Sequence, residues 1–137
     1  MSRIVIDASS TLAWLFDEGG SAARAKSILD ANALVAPWLW RLEVTNAILV
    51  RERRKALTEA HASRLLQLID ELKIDLIGEP TTRTATGLAQ TARPHQLTAY
   101  DAIYLDLAIR LGVPMFTRDN NLRVAAKRAG VPLVGEK

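Results

Sequence analysis

Short apolar runs alternate with longer helical stretches along the whole chain, and this alternation constrains the fold more than any other feature. Strands that alternate with helices are typical of a mostly parallel sheet with both faces covered. The sequence therefore predicts a three-layer α/β/α sandwich with a mostly parallel central sheet. We place its strands at residues 3–7, 33–36, 74–77, 114–117 and 132–134.

Seven helical stretches fill the intervals between these runs. Several of their ends carry residues that begin or end helices: Pro37 lies near the start of the third, Thr58 is an expected N-cap and Gly112 an expected C-cap. No repeat, low-complexity segment or long linker divides the chain, so we expect residues 1–137 to form one domain. We place the helices at residues 9–16, 21–32, 38–55, 58–72, 80–92, 98–111 and 120–129.

Composition narrows the class of protein. The chain has no cysteine, which excludes disulfides and thiolate metal sites and agrees with a reducing cytosol, so we expect a cytoplasmic location. No apolar run approaches the ~20 residues of a membrane span, and the start lacks the apolar stretch of a signal peptide. The net charge of +3 permits an anionic partner without predicting one. The high apolar share leaves room for a buried interface, as in a dimer.

Three carboxylates lie near strand ends or helix starts, where α/β sheets bind ligands. Asp7 ends the first predicted strand, Asp119 follows the fourth, and Asp101 lies in the first turn of the helix that Thr98 begins. Ligands of such sheets bind beyond the carboxyl ends of the strands. Each carboxylate could instead stabilise a helix N-terminus, and taken one at a time they leave both interpretations open.

A fourth carboxylate, Glu43, lies on an apolar stripe of the third predicted helix. Residues three and four apart share a helix face, so Leu39, Ala47 and Asn46 are expected beside it. A carboxylate that faces a core costs several kcal/mol unless it is paired or metal-bound. Glu43 therefore needs either a metal ion or a buried arginine or lysine.

Asp101 and Asp106 occupy one helix, and a helical wheel separates them. With roughly 100° per residue, Leu105 and Ala108 lie beside Asp101, whose surroundings are apolar. Asp106 lies about 140° away on that wheel, with Arg110 four residues later in the order that favours an ion pair. We expect Asp106 to form a solvated pair with Arg110 and Asp101 to face a site.

The four carboxylates could converge on one acidic pocket. Like charges at short distance raise each other's pKa, so such a cluster requires a cation. Without cysteine, and with only His61 and His95 as histidines, the ligands would all be oxygen atoms. Such ligands suit Mg²⁺ or Mn²⁺ rather than zinc, and a metal held in this way supports water attack on a phosphate. Thr117 could add a hydroxyl that orients a phosphate or a water, or it could be an ordinary strand residue.

Four motifs cover the chain almost end to end: VIDAS around Asp7, WRLEVTNAI around Glu43, LTAYDAIYLDLAIRLGVP around Asp101 and FTRDNNLRVAA around Asp119. In this order they resemble PIN-domain proteins, most closely VapC-type toxins of bacterial toxin–antitoxin pairs. The resemblance implies a small α/β/α fold and a Mg²⁺- or Mn²⁺-dependent endoribonuclease. It also implies a homodimer and inhibition by a cognate antitoxin, which inserts a peptide near the acidic pocket.

The resemblance assigns roles residue by residue. Thr117 and Asn46 match supporting polar positions. Asp106 departs from the family pattern, which usually has a small or apolar residue there. By the same motif match, the residues with metal-binding catalytic roles are Asp7, Glu43, Asp101 and Asp119.

The sequence identifies residues that contact RNA less clearly than it identifies the carboxylates. Arg118 is the preferred candidate because it directly precedes Asp119, whereas the basic run at residues 51–55 is typical of a solvated helix end. Two alternatives remain. An inactive PIN-fold protein for RNA binding or assembly is disfavoured by the intact carboxylate set. A response-regulator-like domain is disfavoured because it needs a lysine near the strand ends, and the nearest lysines, Lys55, Lys73 and Lys127, fall within or at the ends of helices.

Overall fold

A parallel sheet forms the centre of the fold in the computed structural model of the chain, which describes residues 2–17, 20, 22–77 and 83–135. Its four strands are ordered β3-β2-β1-β4, and each neighbouring pair is parallel. A single parallel bridge joins Leu133 to Met115 where a fifth strand is predicted. The predicted parallel sheet is confirmed, with these strand bounds: β1 Arg3–Ile6, β2 Ala33–Pro37, β3 Ile74–Ile77 and β4 Met115–Phe116.

Helices cover the sheet, and the described residues contain seven α-helices and the 3₁₀ turn Arg93–His95. Their bounds are α1 Ala8–Phe16, α2 Ala22–Ala31, α3 Leu39–Arg53, α4 Glu59–Glu71, α5 Ala85–Ala92, α6 Ala99–Leu111 and α7 Asn120–Arg128. The chain moves from β1 outward to β3 and then returns to β4, so right-handed crossovers put α1–α4 on one face and α5–α7 on the other. Contacts of α1 with α2 and α3, and of α6 with α5 and α7, agree with these layers. The predicted three-layer α/β/α sandwich is confirmed.

Local sequence signals set most helix ends. The Thr58 side chain accepts a hydrogen bond from the backbone of the first turn of α4, and Thr98 does the same for α6. Gly112 ends α6 with φ +66°, a left-handed conformation that glycine adopts without steric cost. The fifth helix begins at Ala85 after the N-cap Thr84, later than the predicted start at residue 80, which lies outside the described residues.

One hydrophobic core unites the layers. Its buried apolar side chains run from Ile4 to Val131, and β1 contributes three of them in succession. Fully burying a valine, leucine or isoleucine side chain contributes roughly 1.5–3 kcal/mol, so the buried β1 fixes where its carboxyl end, and hence Asp7, must lie. Within the described residues no helix has the length and apolar character that crossing a membrane requires.

Asp106 departs from its predicted environment. The ion pair with Arg110 forms, with 2.9 Å between Nε and Oδ2, but Asp106 is only 6% exposed instead of facing solvent. Arg83, just before α5, makes a second ion pair with Oδ1 at 2.9 Å. The prediction of a solvated pair is wrong because α6 packs against the sheet, α5 and α7 at once. A wheel drawn for one helix does not contain these neighbours.

The buried network predicts that Asp106→Asn lowers the free energy of unfolding by about 1–3 kcal/mol, because two guanidinium groups lose their carboxylate. Asp30 is the matched control: it pairs i,i+4 with Lys26 at 2.7 Å, but the Asp30 side chain is 65% exposed. Asp30→Asn should change the free energy of unfolding by less than about 0.5 kcal/mol. Urea denaturation of both variants measures the difference, and equal losses would contradict the network.

Candidate functional site

A small cavity of about 210 Å³ lies beyond the carboxyl ends of the strands, where the parallel sheet predicts ligand binding. Each of the four predicted carboxylates comes from a different part of the fold: the end of β1, the second turn of α3, the first turn of α6 and the loop between β4 and α7. The structure thus brings them together around one cavity. Its lining residues are Asp7, Ala8, Ser9, Leu12, Glu43, Asp101, Tyr104 and Asp119.

Asp7 is buried at the base of this cavity and surrounded by hydrogen-bond donors. Its Oδ1 accepts from the backbone N–H of Ser10 at 2.9 Å, and its Oδ2 accepts from the Thr117 hydroxyl at 2.5 Å. The Ser9 hydroxyl donates to both oxygens, at 2.8 and 2.9 Å. Burial raises the pKa of Asp7, and these hydrogen bonds, led by that of Thr117, counteract the rise.

Ser9 and Thr117 join the two loops that carry Asp7 and Asp119. The Ser9 Oγ accepts from the backbone N–H of Arg118 at 2.9 Å, and the Thr117 Oγ1 accepts from the backbone N–H of Asp119 at 3.1 Å. The sequence did not identify Ser9 as a site residue. Its position two residues after a strand-end aspartate was the available signal, but serines are also common at helix starts.

Asp7 and Asp119, the two aspartates that follow strands, each cap a helix and also line the cavity. Asp7 caps α1, and the Asp119 Oδ1 caps α7 by accepting from the backbone N–H of Leu122 at 2.8 Å. The two interpretations that the sequence left open are therefore compatible. A helix N-terminus carries partial positive charge, so it also stabilises the carboxylate that lines the cavity.

A buried tyrosine fixes one carboxylate oxygen of Glu43. The Tyr104 hydroxyl donates to Glu43 Oε1 at 2.5 Å, and Tyr104 itself is 1% exposed. Burial raises the pKa of Glu43; the tyrosine counteracts this, and the nearby charges of Asp101 and Asp7 raise it further. The sequence did not identify Tyr104, although a tyrosine three residues after Asp101 shares its helix face.

The sequence predicts Asn46 on a buried apolar stripe together with Glu43, but the Asn46 side chain is exposed. The buried residues of α3 are Trp40, Val44 and Ile48, spaced one turn apart, and Asn46 is exposed and does not line the cavity. The predicted position of the buried stripe on α3 is wrong because the helix also carries apolar residues on its exposed face. Leu42, one turn before Asn46, is 52% exposed. Hydrophobic periodicity alone could not tell which face meets the sheet.

Four carboxylates concentrate negative charge at the cavity. Three ion pairs of the described residues lie elsewhere, at Asp30 and Asp106. Burial raises the pKa of Asp101, and the charges of Asp119 and Asp7 add to the rise. Carboxylates that repel one another around one cavity favour the binding of a cation there.

The donor set fits a hydrated divalent ion. No three histidine, aspartate or glutamate side chains of the described residues lie close enough together to bind one metal ion directly. Magnesium commonly takes only one or two carboxylates and keeps several waters. A cavity of about 210 Å³ has room for such an ion with part of its water shell, since each water occupies about 30 Å³ of liquid volume.

Tyr104→Phe should lower the free energy of unfolding by about 1–2 kcal/mol near pH 7, because Glu43 loses its hydrogen-bond donor. The pKa of Glu43 is raised in the folded protein, so its charge destabilises the fold above that pKa and ceases to do so as the pH falls through it. The cost of the substitution should therefore shrink near pH 4.

Tyr100→Phe is the matched control for this measurement, since Tyr100 lies on the same helix and is 63% exposed. Denaturation at both pH values, with EDTA present, should show no pH-dependent cost for Tyr100→Phe. A Tyr104→Phe cost that stays constant across this pH range would contradict the assigned hydrogen bond.

Comparisons with known proteins agree with this fold. The chain matches the PIN domain family over residues 4–128. A crystal structure of PAE2754 from Pyrobaculum aerophilum superposes with a TM-score of 0.65, at 24% sequence identity, and the match covers 90% of this chain and 86% of that one. At this identity the structural likeness concerns the fold alone.

Curated relatives extend the match to whole chains. Ribonuclease VapC46 of Mycobacterium tuberculosis is 32% identical, over 98% of this chain and 98% of the relative. Ribonuclease VapC1 of the same species is 30% identical over 91% and 92% of the two chains. Ribonuclease VapC3 of Pyrobaculum aerophilum is 29% identical over 88% and 92%. The chain therefore belongs to the PIN domain family, and within it to the VapC-type proteins.

Proposed function

We propose that this protein is a metal-dependent endoribonuclease and the toxin of a toxin–antitoxin pair. The observation that carries the proposal is the convergence of four carboxylates on one cavity at the ligand-binding edge of the sheet. Relatives named ribonuclease, about 30% identical over most of the chain, support the same reaction class.

In the proposed mechanism the carboxylates hold Mg²⁺ or Mn²⁺, and the site residues are Asp7, Glu43, Asp101 and Asp119. When bound, the metal would supply an activated water and stabilise the charge that develops on the phosphate. Asp7 presents a carboxylate whose orientation is fixed by its hydrogen bonds. Thr117 acts by orienting Asp7 rather than by contacting the phosphate, since its hydroxyl proton is already donated to that carboxylate.

Glu43 is suited to accept a proton from water. Its pKa is raised by burial and by neighbouring charges, which brings it closer to neutral pH and so increases its basicity. Tyr104 holds one of its oxygens, Oε1, in a fixed position, so that the other can face the cavity. Arg118 is exposed at the rim, where it can contact RNA.

The proposal includes two protein partners and a location. A cognate antitoxin would inhibit the toxin by inserting a peptide near the acidic cavity, and a second copy would form a homodimer. Exposed large apolar side chains leave surface for such contacts, namely Leu42, Leu49, Tyr100, Ile109 and Val124. We place the activity in the cytoplasm, in keeping with a chain that has no cysteine.

The alternative is an inactive PIN-fold protein that binds RNA or supports assembly. Four carboxylates that repel one another would then be retained at an energetic cost without a cation to use them. The two functions differ in a single measurement, which is cleavage of RNA.

Purified wild-type protein should cleave RNA in Mg²⁺ or Mn²⁺ and lose this activity in EDTA. Asp7→Ala and Asp101→Ala should each reduce the cleavage rate by at least about 100-fold, because each removes a carboxylate from the metal site. Asp30→Asn is the control, since the Asp30 side chain is exposed on α2 and does not line the cavity. Asp106→Ala is unsuitable as a control because Asp106 is buried. Gel analysis of labelled RNA provides the rates, and equal cleavage by all variants would refute the site.

Metal binding should be visible without any reaction. Adding Mg²⁺ or Mn²⁺ to the wild-type protein should raise its Tm, because ligands that bind the folded state stabilise it. Asp101→Asn should weaken or abolish this increase, while its own Tm in EDTA should exceed that of the wild type because a repelled, half-buried charge is removed. An unchanged metal-dependent shift in this variant would exclude Asp101 from the site.

A further inference from the structure

A larger cleft of about 520 Å³ opens beside the acidic cavity. It is bounded by α2, by the end of β4 with the loop that follows, by α7 and by residues 133–135. Thr117 belongs to both sites, since it lines the cleft and donates its hydroxyl proton to Asp7 in the cavity. A molecule that occupies the cleft therefore lies next to the carboxylates.

The cleft and the cavity differ in charge. Three arginines line the cleft, one from each of three elements: Arg24 from α2, Arg118 from the loop and Arg123 from α7. None of the described residues that line it is acidic. A basic cleft thus adjoins an acidic cavity, an arrangement suited to a polyanion that must reach a metal site.

The wall of the cleft is built by close packing. The Arg24 guanidinium donates to the carbonyl oxygen of Gly135 at 2.6 Å, which ties α2 to the segment after Leu133. Gly135 has φ +78°, and a Cβ atom there would lie 2.8 Å from Ile28 Cδ1. The positive φ favours glycine at this position, and the hydrogen bond to its carbonyl oxygen holds Arg24 at the cleft.

Arg118 is positioned in a similar way on the other side. Its backbone N–H donates to the Ser9 hydroxyl, which also holds Asp7, and its side chain is exposed. The main chain at Arg118 is therefore fixed relative to the cavity while the guanidinium group is available at the cleft. Arg24 and Arg118 therefore each lie on a segment that a hydrogen bond anchors.

We propose that this cleft binds the backbone of single-stranded RNA next to the phosphate that is cleaved. The inference rests on the proposed nuclease function. Guanidinium groups match phosphate oxygens with paired hydrogen bonds, and a volume typical of a small-ligand pocket holds a short stretch of one strand. Contacts of this kind position the substrate without reading its sequence.

An acidic peptide is the competing occupant, and the position of the cleft disfavours it. A carboxylate-rich peptide would be attracted by the arginines. It would also be repelled by the carboxylates of the cavity that adjoins the cleft at Thr117. RNA must approach those carboxylates in any case, because the bond to be cleaved has to reach the metal. Continuity between the two sites is therefore required for RNA and unfavourable for an acidic peptide.

The test measures binding of a fluorescein-labelled single-stranded RNA by anisotropy, with Mg²⁺, in the Asp101→Asn background to suppress cleavage. Arg24→Gln and Arg118→Gln should each weaken binding about 3- to 10-fold, and each should reduce the slope of log affinity against log salt by about 0.7. Arg24→Lys, which keeps the charge, should restore most of the affinity. Arg64→Gln is the matched control, because Arg64 is exposed on α4 and lines neither site.

The outcomes separate this inference from the function on which it rests. If wild-type protein cleaves RNA but the cleft variants bind like Arg64→Gln, the inference is wrong and the nuclease proposal stands. Wild-type protein that neither cleaves nor binds RNA would overturn both. If labelled polyglutamate binds in an Arg24- and Arg118-dependent manner while RNA binding does not depend on them, the cleft is a peptide site and the inference is overturned.

Discussion

The buried carboxylate of Asp7 is the constraint on which the rest of the site depends. Burial of β1 places this charge at the end of a hydrophobic strand, where an unsatisfied carboxylate would cost several kcal/mol. Three side-chain or backbone donors, from Ser9, Ser10 and Thr117, meet that demand. Because Thr117 and Ser9 also bind the loop before α7, the same hydrogen bonds set the position of Asp119.

Much of the fold was predictable because its signals are local. Short apolar runs and residues such as Thr58 and Gly112 identify strands and helix ends from their own neighbours in sequence. The four carboxylates were predictable as a group because the carboxyl ends of parallel strands share one edge of the sheet. Their motifs added a family resemblance that the whole-chain matches confirm. Their catalytic roles remain a proposal.

The parts that could not be predicted depend on contacts between elements. Asp106 is buried by α5 and Arg83, neither of which appears on a wheel of α6. The exposed face of α3 that carries Asn46 is apolar enough to pass for a core face. The hydrogen bond between Tyr104 and Glu43 joins residues 61 positions apart in the chain, so no local sequence pattern identifies it. In each case the residue type is visible in the sequence, but its neighbour in space is not.

The two arginines around Asp106 have an evolutionary consequence. A single replacement of Asp106 leaves two arginines without their carboxylate, whereas a single replacement of Arg83 or Arg110 leaves the buried carboxylate with one partner. Losing the acid first is therefore the harder route. Related sequences should drift by changing an arginine first, so that lineages with a small or apolar residue in place of Asp106 should also lack the arginine before α5.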